Sequence, residues 1–362
     1  LSQQSNSEEA SGAKRSSRQA LTPLFAIALA LTAVGFYLAY DDEADVDLGR
    51  EAPDAFGQVE PIELPDGAVD TSVEAVELVH AEAKPHAIEL MLRQKSRTED
   101  ASGGAHTLDT AFELGLEQDV TVADATRFEK ERVLAITRHY QRARASVSTG
   151  DGELLGPGIT SQVEELLRGS ITRLYVAPSG EPLDFEWREV PNPQARRMLF
   201  LVRDAHTFLT PRFFNAAVNP GDTWSYQRPL MVEEPDLGVN ANGQVDIDNR
   251  FVGVLTHEDR RLGVVRQTLK ASVEGTLAAD ETSATFTLDG SGEGLVLVDL
   301  GAGRVHTADV EFERTLTIDS GGEPTVQVSE IFLGLRPKGG VTLPDFEEKA
   351  GEDDQLEASN EE

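Results

Sequence analysis

The sequence predicts a mainly β protein (α+β): a large curved antiparallel sheet or half-barrel with one or two packed helices, preceded by a single N-terminal transmembrane helix. Three observations predict it. From Thr223 onward the chain alternates apolar and polar residues in long runs parted by Gly, Asn and Asp. Beyond residue 40 only two segments, both before Thr223, repeat at three and four residues, as a helix requires. Residues 21–40, LTPLFAIALALTAVGFYLAY, hold no charged side chain.

The apolar run comes first. Twenty residues at a rise of about 1.5 Å span ~30 Å, the thickness of a bilayer's hydrocarbon core. Lys14, Arg15 and Arg18 precede it, and Asp41, Asp42 and Glu43 follow. The positive-inside rule places 1–20 as a cytoplasmic stub, 21–40 as the anchor and everything after Asp41 outside. The localisation expected is a bacterial inner membrane, single-pass, with the C-terminal domain periplasmic. A signal peptide cut after Ala33-Val34-Gly35 is the rival and exports the same portion.

Residues 41–72 are acidic and rich in Pro, Gly and Asp, with no period, and read as an extended linker. The exported β-rich domain is expected over 73–338. Residues 339–362 form a second acidic segment, a disordered tail with nine acids from Asp345 onward against Lys349 alone.

Inside 73–338, Val76 to Val79 opens the domain and Ile88 to Leu92 alternates beyond Pro85. Phe112 to Val122 alternates again. Val133 to Val147 suits either period, and Ile136, Arg138 and Tyr140 favour a strand. Pro178-Ser179-Gly180 turns Ile171–Val176 back onto Leu183–Trp187. Helices are expected over Ser161–Leu167 and Asn192–Leu209, the second stopped by Pro211. A strand starts at Thr223, and Asn242-Gly243 predicts a tight turn. Phe251–Leu255 turns at Glu258-Asp259 into Leu262–Val273. Thr285–Leu288 passes a glycine bend or bulge, Gly290-Ser291-Gly292-Glu293-Gly294, to reach Leu295–Val298. Val305–Ile318 and Val326–Leu335 close the series around Ser320-Gly321-Gly322.

Four stretches carry a resemblance: VELVHAEAKPHAIELMLR from Val76, APSGEPLDFEW from Ala177, NPGDTWSY from Asn219 and DGSGEGLVLVDLGAGRV from Asp289. In order and spacing over 76–336 the chain resembles a family of uncharacterised bacterial envelope proteins with a domain of unknown function and a Gly-x-x-Trp strand start. It departs at FFNAAVNPGDTW, where members carry a Pro-rich lead-in. The resemblance implies an exported, sheet-rich fold and no established activity.

The search for chemistry excludes more than it finds. Sixty-four acids against 32 bases give a net charge of −32, which repels nucleic acid. With no cysteine there are no disulfides, thiolate metal sites or Cys nucleophiles. No phosphate loop or nucleophile elbow occurs, since Gly290–Gly294 lies between strand patterns. The histidines form no H-x-x-x-H or H-x-H pair; His80 and His86 converge only through folding, and each reads as a surface or capping residue. Asn240-Ala241-Asn242-Gly243 lacks the first and twelfth carboxylates of a calcium loop. No catalytic residue, metal or cofactor is therefore expected. Phe213, Phe214, Trp224 and Tyr226 cluster and are the candidate ligand groove, with a core role as their alternative. The function expected is a membrane-anchored binding or interaction module that takes another envelope protein or an apolar ligand. A structural scaffold and a carboxylate hydrolase are the alternatives.

Overall fold

Alternation of this length can bury one face of a strand only by pairing many strands edge to edge. A computed structural model describes residues 61–338, apart from 66, 100–104, 150–157, 191–194, 215, 235–238, 280–281 and most of 197–207. The expected anchor at 21–40, the stub, most of the linker and the tail at 339–362 lie outside the described residues.

The strands are β1 (Val69–Asp70), β2 (Val76–Glu77), β3 (Ala83–Glu99), β4 (Ala105–Ala123), β5 (Val133–Thr149), β6 (Ile171–Val176), β7 (Pro182–Glu189), β8 (Ala217–Val218), β9 (Thr223–Glu234), β10 (Val239–His257), β11 (Arg260–Ala279), β12 (Thr282–Asp299), β13 (Arg304–Asp319) and β14 (Thr325–Pro337). One helix, α1 (Gly158–Leu167), packs on β5. All but β2 and β8 join one antiparallel sheet of 12 strands, ordered β1-β10-β11-β12-β13-β14-β3-β4-β5-β6-β7, with β9 also on β10. The protein is mainly β, with little helix. Among the described residues no helix is long and apolar enough to cross a membrane.

Most turns fall where the sequence places them. Glu258 and Asp259 take positive φ (45° and 62°) between β10 and β11, and Gly321 turns β13 into β14. The segment Val133–Thr149 is strand. Pro85 sits at a register shift near the start of β3, and Pro229 lies on β9, an edge strand, where a missing N–H costs no ladder bond.

One expected turn and one expected glycine bend or bulge are absent. Asn242 and Gly243 lie inside β10, opposite Met231 and Leu230 on one side and Glu274 and Val273 on the other. Gly243 serves close approach rather than a turn, because a β-carbon there would stand 2.3 Å from the Ser272 carbonyl oxygen. Gly290, Gly292 and Gly294 interrupt nothing either. β12 runs through them, and its register shift comes later, at Leu297/Val298. The Phe312 ring of β13 occupies the space their side chains would take, 2.5 Å from a β-carbon at Gly290 and 2.8 Å from one at Gly292.

Even-numbered residues of β3, β4, β12 and β13 face one large core that also takes Val163 and Leu167 of α1. Of the second expected helix, Ala195, Leu199, Val202 and Leu209 are described, helical and buried in the same core. We call this the inner face. On the outer face Leu64, Ala68 and Val69 cover Leu255, Leu262, Val264 and Leu297, and Ile62 donates its N–H to Asp309 at 2.6 Å.

The sheet bends. Leu78 touches Gly263 at the start of β11, and His80 touches Gly180 between β6 and β7. Those strands stand seven steps apart in the sheet, about 34 Å if it were flat. Residues 78 and 80 are at most about 7 Å apart. Two side chains so close reach both only if the two strands curve toward each other.

Candidate functional site

The residues that bridge the bend cap one end of the inner face. The His80 N–H donates to the Pro178 carbonyl at 2.8 Å and the Ala81 N–H to the Gly303 carbonyl at 2.8 Å. A second strap, 208–214, lies beside it. The Phe213 N–H donates to the Ser179 carbonyl at 2.6 Å, and the Phe213 ring stacks on His80 with centroids 4.7 Å apart.

The candidate groove residues belong to this strap and its footing on β9. The Trp224 indole N–H donates to the Arg212 carbonyl at 2.6 Å, and the Arg212 N–H donates to the Tyr226 hydroxyl at 3.2 Å. Phe213 and Trp224 are buried in the main core, and Tyr226 is half-buried against it. Phe214 points away, 54% exposed. Three of the four are thus brought together, as fasteners of the cap.

Beneath the cap lies a cavity of about 20 Å³, lined among others by His80, His86, Gln118, Ile136, Thr210 and Arg304. It has room for a water and is far smaller than a pocket for an organic ligand. Folding does bring His80 and His86 to one place. His80 is buried rather than on the surface, and burial pushes its imidazole down to about 4, against the pull of the Pro211 carbonyl. Its Nε2 has no hydrogen-bond partner. His86 is lowered by burial and then by Arg304, and its Nδ1 lies 3.0 Å from the Lys84 carbonyl. His306 is lowered by burial and by Arg260, Arg304 and His257, against Asp299. Arg260 and Arg304 thus stand with Asp299 around two histidines held toward their neutral forms.

The residue that sequence reasoning treated only as part of a strand pattern is Arg138. Register sets it on β5 between Gln118 of β4 and Thr172 of β6, beside Ile136 at the cavity wall. It is 1% exposed, among the largest fully buried side chains in the protein. Its Nε–H donates to Gln118 Oε1 at 3.1 Å, and its Nη2 has no partner. Burial lowers its pKa, opposed by the charge of the Tyr140 phenol and by a hydrogen bond to it; that phenol is itself 3.2 Å from the Thr172 hydroxyl. The sequence does carry a signal, since Arg138 stands in phase with Ile136 and Tyr140 on the apolar side of the alternation, but that phase by itself reads only as evidence for a strand.

Moving along the inner face away from Arg138, apolar rows follow. Register aligns Ile88 with Leu116, Leu90 with Leu114 and Leu92 with Phe112. Across the middle, Leu92, Phe312 and Ile331 stay half-buried around Gly290, Gly292 and Gly294. At the far end polarity returns: Gln94 Nε2 donates to the Ser96 hydroxyl at 2.7 Å and the Ser329 hydroxyl at 3.2 Å. Among the described residues no cluster of His, Asp and Glu is arranged to hold a metal.

Fold and site define a mainly β protein built on one large antiparallel sheet and capped at one end. No family model and no curated protein matches the chain. Among solved structures it is similar to DynF from the dynemicin biosynthesis pathway of Micromonospora chersina, at 8% identity over 80% of this chain and 95% of that one, with a TM-score of 0.18. A likeness at that TM-score carries neither fold nor function.

Proposed function

We propose that the protein is a membrane-anchored, exported binding module that holds an apolar ligand in the bend of its sheet, a half-barrel standing off the membrane on an acidic linker. One observation carries the ligand reading. The middle of the inner face leaves Leu92, Phe312 and Ile331 half-buried beside three glycines that add no side chain of their own. Apolar surface left open inside a bend is a place for an apolar partner. The orientation follows from the charges flanking residues 21–40, and the resemblance to exported envelope proteins agrees with it.

The test is direct. Full-length protein reconstituted in lipid nanodiscs is titrated with a fluorescent apolar probe, with empty discs as the baseline. Saturable binding that is weakened when the half-buried Ile331 is replaced by Asn supports the reading, and the absence of saturable binding overturns it. Protease added to sealed spheroplasts is expected to digest the 339–362 tail; protection of the tail overturns the orientation. A scaffold is the second reading. It is favoured by α1 and by Ala195, Leu199 and Val202, which fill part of the inner face with the chain's own side chains.

A further inference from the structure

We propose that the capped end of the sheet is an acid-sensitive latch: protonation of the His80 ring releases the two straps that meet there, while the large sheet stays paired. The latch does not depend on the ligand reading and works with or without an apolar partner.

The geometry gives the latch its parts. The first strap, Leu78 to Ala81, leans on turns from two distant parts of the sheet. The His80 N–H donates to the Pro178 carbonyl and the Ala81 N–H to the Gly303 carbonyl, each at 2.8 Å. The second strap, 208–214, is tied by the Phe213 N–H to the Ser179 carbonyl and by Trp224 and Tyr226 to the Arg212 main chain. The straps meet where the Phe213 ring stacks on His80, 26° from parallel. The short pair of β2 with β8 stands beside them. By contrast β11 pairs with β12 without interruption from Leu262 to Ala279. Segments held by a few bonds open at lower cost than a long ladder.

The chemistry at the meeting point favours a neutral ring. His80 is buried, its Nε2 has no partner, and Gly180 closes in so tightly that a β-carbon there would stand 2.9 Å from Nε2. The elements packed around it bring no anion to the ring. β3 brings His86, β4 brings Gln118, the second strap brings Thr210 and β13 brings Arg304, all lining the same cavity, and none of the cavity's lining residues is an acid. The acids next nearest are already engaged. Glu181, beside Gly180, pairs with Arg212 at 3.0 Å and Lys130 at 3.5 Å. Asp299 accepts the Gly301 and Ala302 N–H groups at 3.0 and 2.9 Å. Asp119 acts on His86, whose Nδ1 lies against the Lys84 carbonyl, and Arg304 acts against it. A proton on His80 therefore makes a buried cation near Arg304 with no counter-ion, and opening the straps returns it to water.

Linkage sets the size of the effect. The packed ring takes its proton near 4 and a solvated ring near 6.5. At neutral pH the ring is uncharged in both states, and opening gains nothing. At about pH 5 the open latch is protonated and the closed one is not, which raises the open population about 30-fold. Below the packed value both states carry the proton and the gain levels off at about 300-fold.

The experiment is amide hydrogen exchange on the full-length protein in phosphatidylcholine nanodiscs, read residue by residue at about pH 7.5 and about pH 5, each rate divided by that of the unstructured chain at the same pH. The His80, Ala81 and Phe213 amides are expected to lose about 30-fold in protection on acidification and to remain less protected than Leu269 and Ala271 within β11. His80→Phe keeps a ring on Phe213 and takes up no proton, and it is expected to remove most of that loss. Equal protection of the latch amides and the β11 amides at the lower pH overturns the proposal, because this end then opens only with the whole sheet. A loss under about threefold in the unmodified protein overturns it as well, since linkage requires about ten times more. A full loss that survives in His80→Phe assigns the proton elsewhere and overturns the role of His80. The first two outcomes are read on unmodified protein, so a variant that fails to fold does not shield the proposal; His80→Gln, polar and without a titrating proton, repeats the third.

Discussion

Two buried arginines on opposite faces of one sheet receive opposite treatment. Arg336, on the outer face, has an acid, a hydroxyl and two carbonyls within 3.2 Å. Arg138, on the inner face, has one amide, the Tyr140 phenol and an Nη2 without a partner. Part of the outer face is covered by Leu64, Ala68 and Val69, and the Ile62 N–H before them shares Asp309 with Arg336. The inner face is covered by Val163 and Leu167 of α1 and by Ala195, Leu199 and Val202. A charge sealed inside the protein needs its counter-ion built in. Arg138 is buried without one, at a cost in stability.

The comparison breaks first at Asp309. Asp309→Ala leaves Arg336 buried without its acid and is expected to cost about 3–5 kcal/mol of unfolding free energy, read from urea denaturation. A loss under about 1 kcal/mol would mean that water reaches Arg336 and that the two sites do not differ.

Next comes pH, which probes the Arg138 end alone. His80 sits near 4 when folded against an ordinary 6.5. Between those values the unfolded chain binds a proton that the folded chain refuses. His80's contribution is therefore full above about pH 6.5 and is lost as pH falls toward 4, by on the order of 3 kcal/mol. His80→Phe keeps a ring to stack on Phe213 and is expected to flatten that part of the pH–stability curve. An unchanged curve would place His80 in contact with solvent.

The third effect has the opposite sign. Arg138→Met removes an uncompensated charge at similar volume, so the ligand-free protein is expected to gain about 1–3 kcal/mol in the same urea assay. A loss of that size would show that Arg138 already has a partner, and the contrast with Arg336 would fail. The smallest effect belongs to Arg142, on the outer face but half-exposed between Glu89 and Glu113. Arg142→Met is expected to cost about 1 kcal/mol or less, because water screens the pair. Together the three arginines separate burial from pairing as the source of the energy.

The periods of the sequence carried most of the sheet. Glu258-Asp259 and Ser320-Gly321-Gly322 were readable as turns because long alternating runs end on both sides of them. Asn242-Gly243 and Gly290–Gly294 misled because the same residue types serve a second purpose. In β10 and β12 the glycines admit a neighbouring strand and the Phe312 ring, a demand that exists only once β11 and β13 lie alongside. The candidate aromatics were placed close together by the sequence, and their role as cap fasteners required the Arg212 main chain.

By itself the sequence determined the strand content, the order of most strands, the uncharged run at 21–40 and the excess of acid, because each depends on residues near one another in the chain. The tertiary structure decided what the charges mean. Arg138 and Arg336 stand in equally ordinary alternating strands. Which face bends inward, which is covered by 62–70 and which acid comes within reach are settled by contacts between residues far apart in sequence, as in the bond from Ile62 to Asp309. Burial multiplies the energy of an ion and pairing cancels it, and both are properties of neighbours in space.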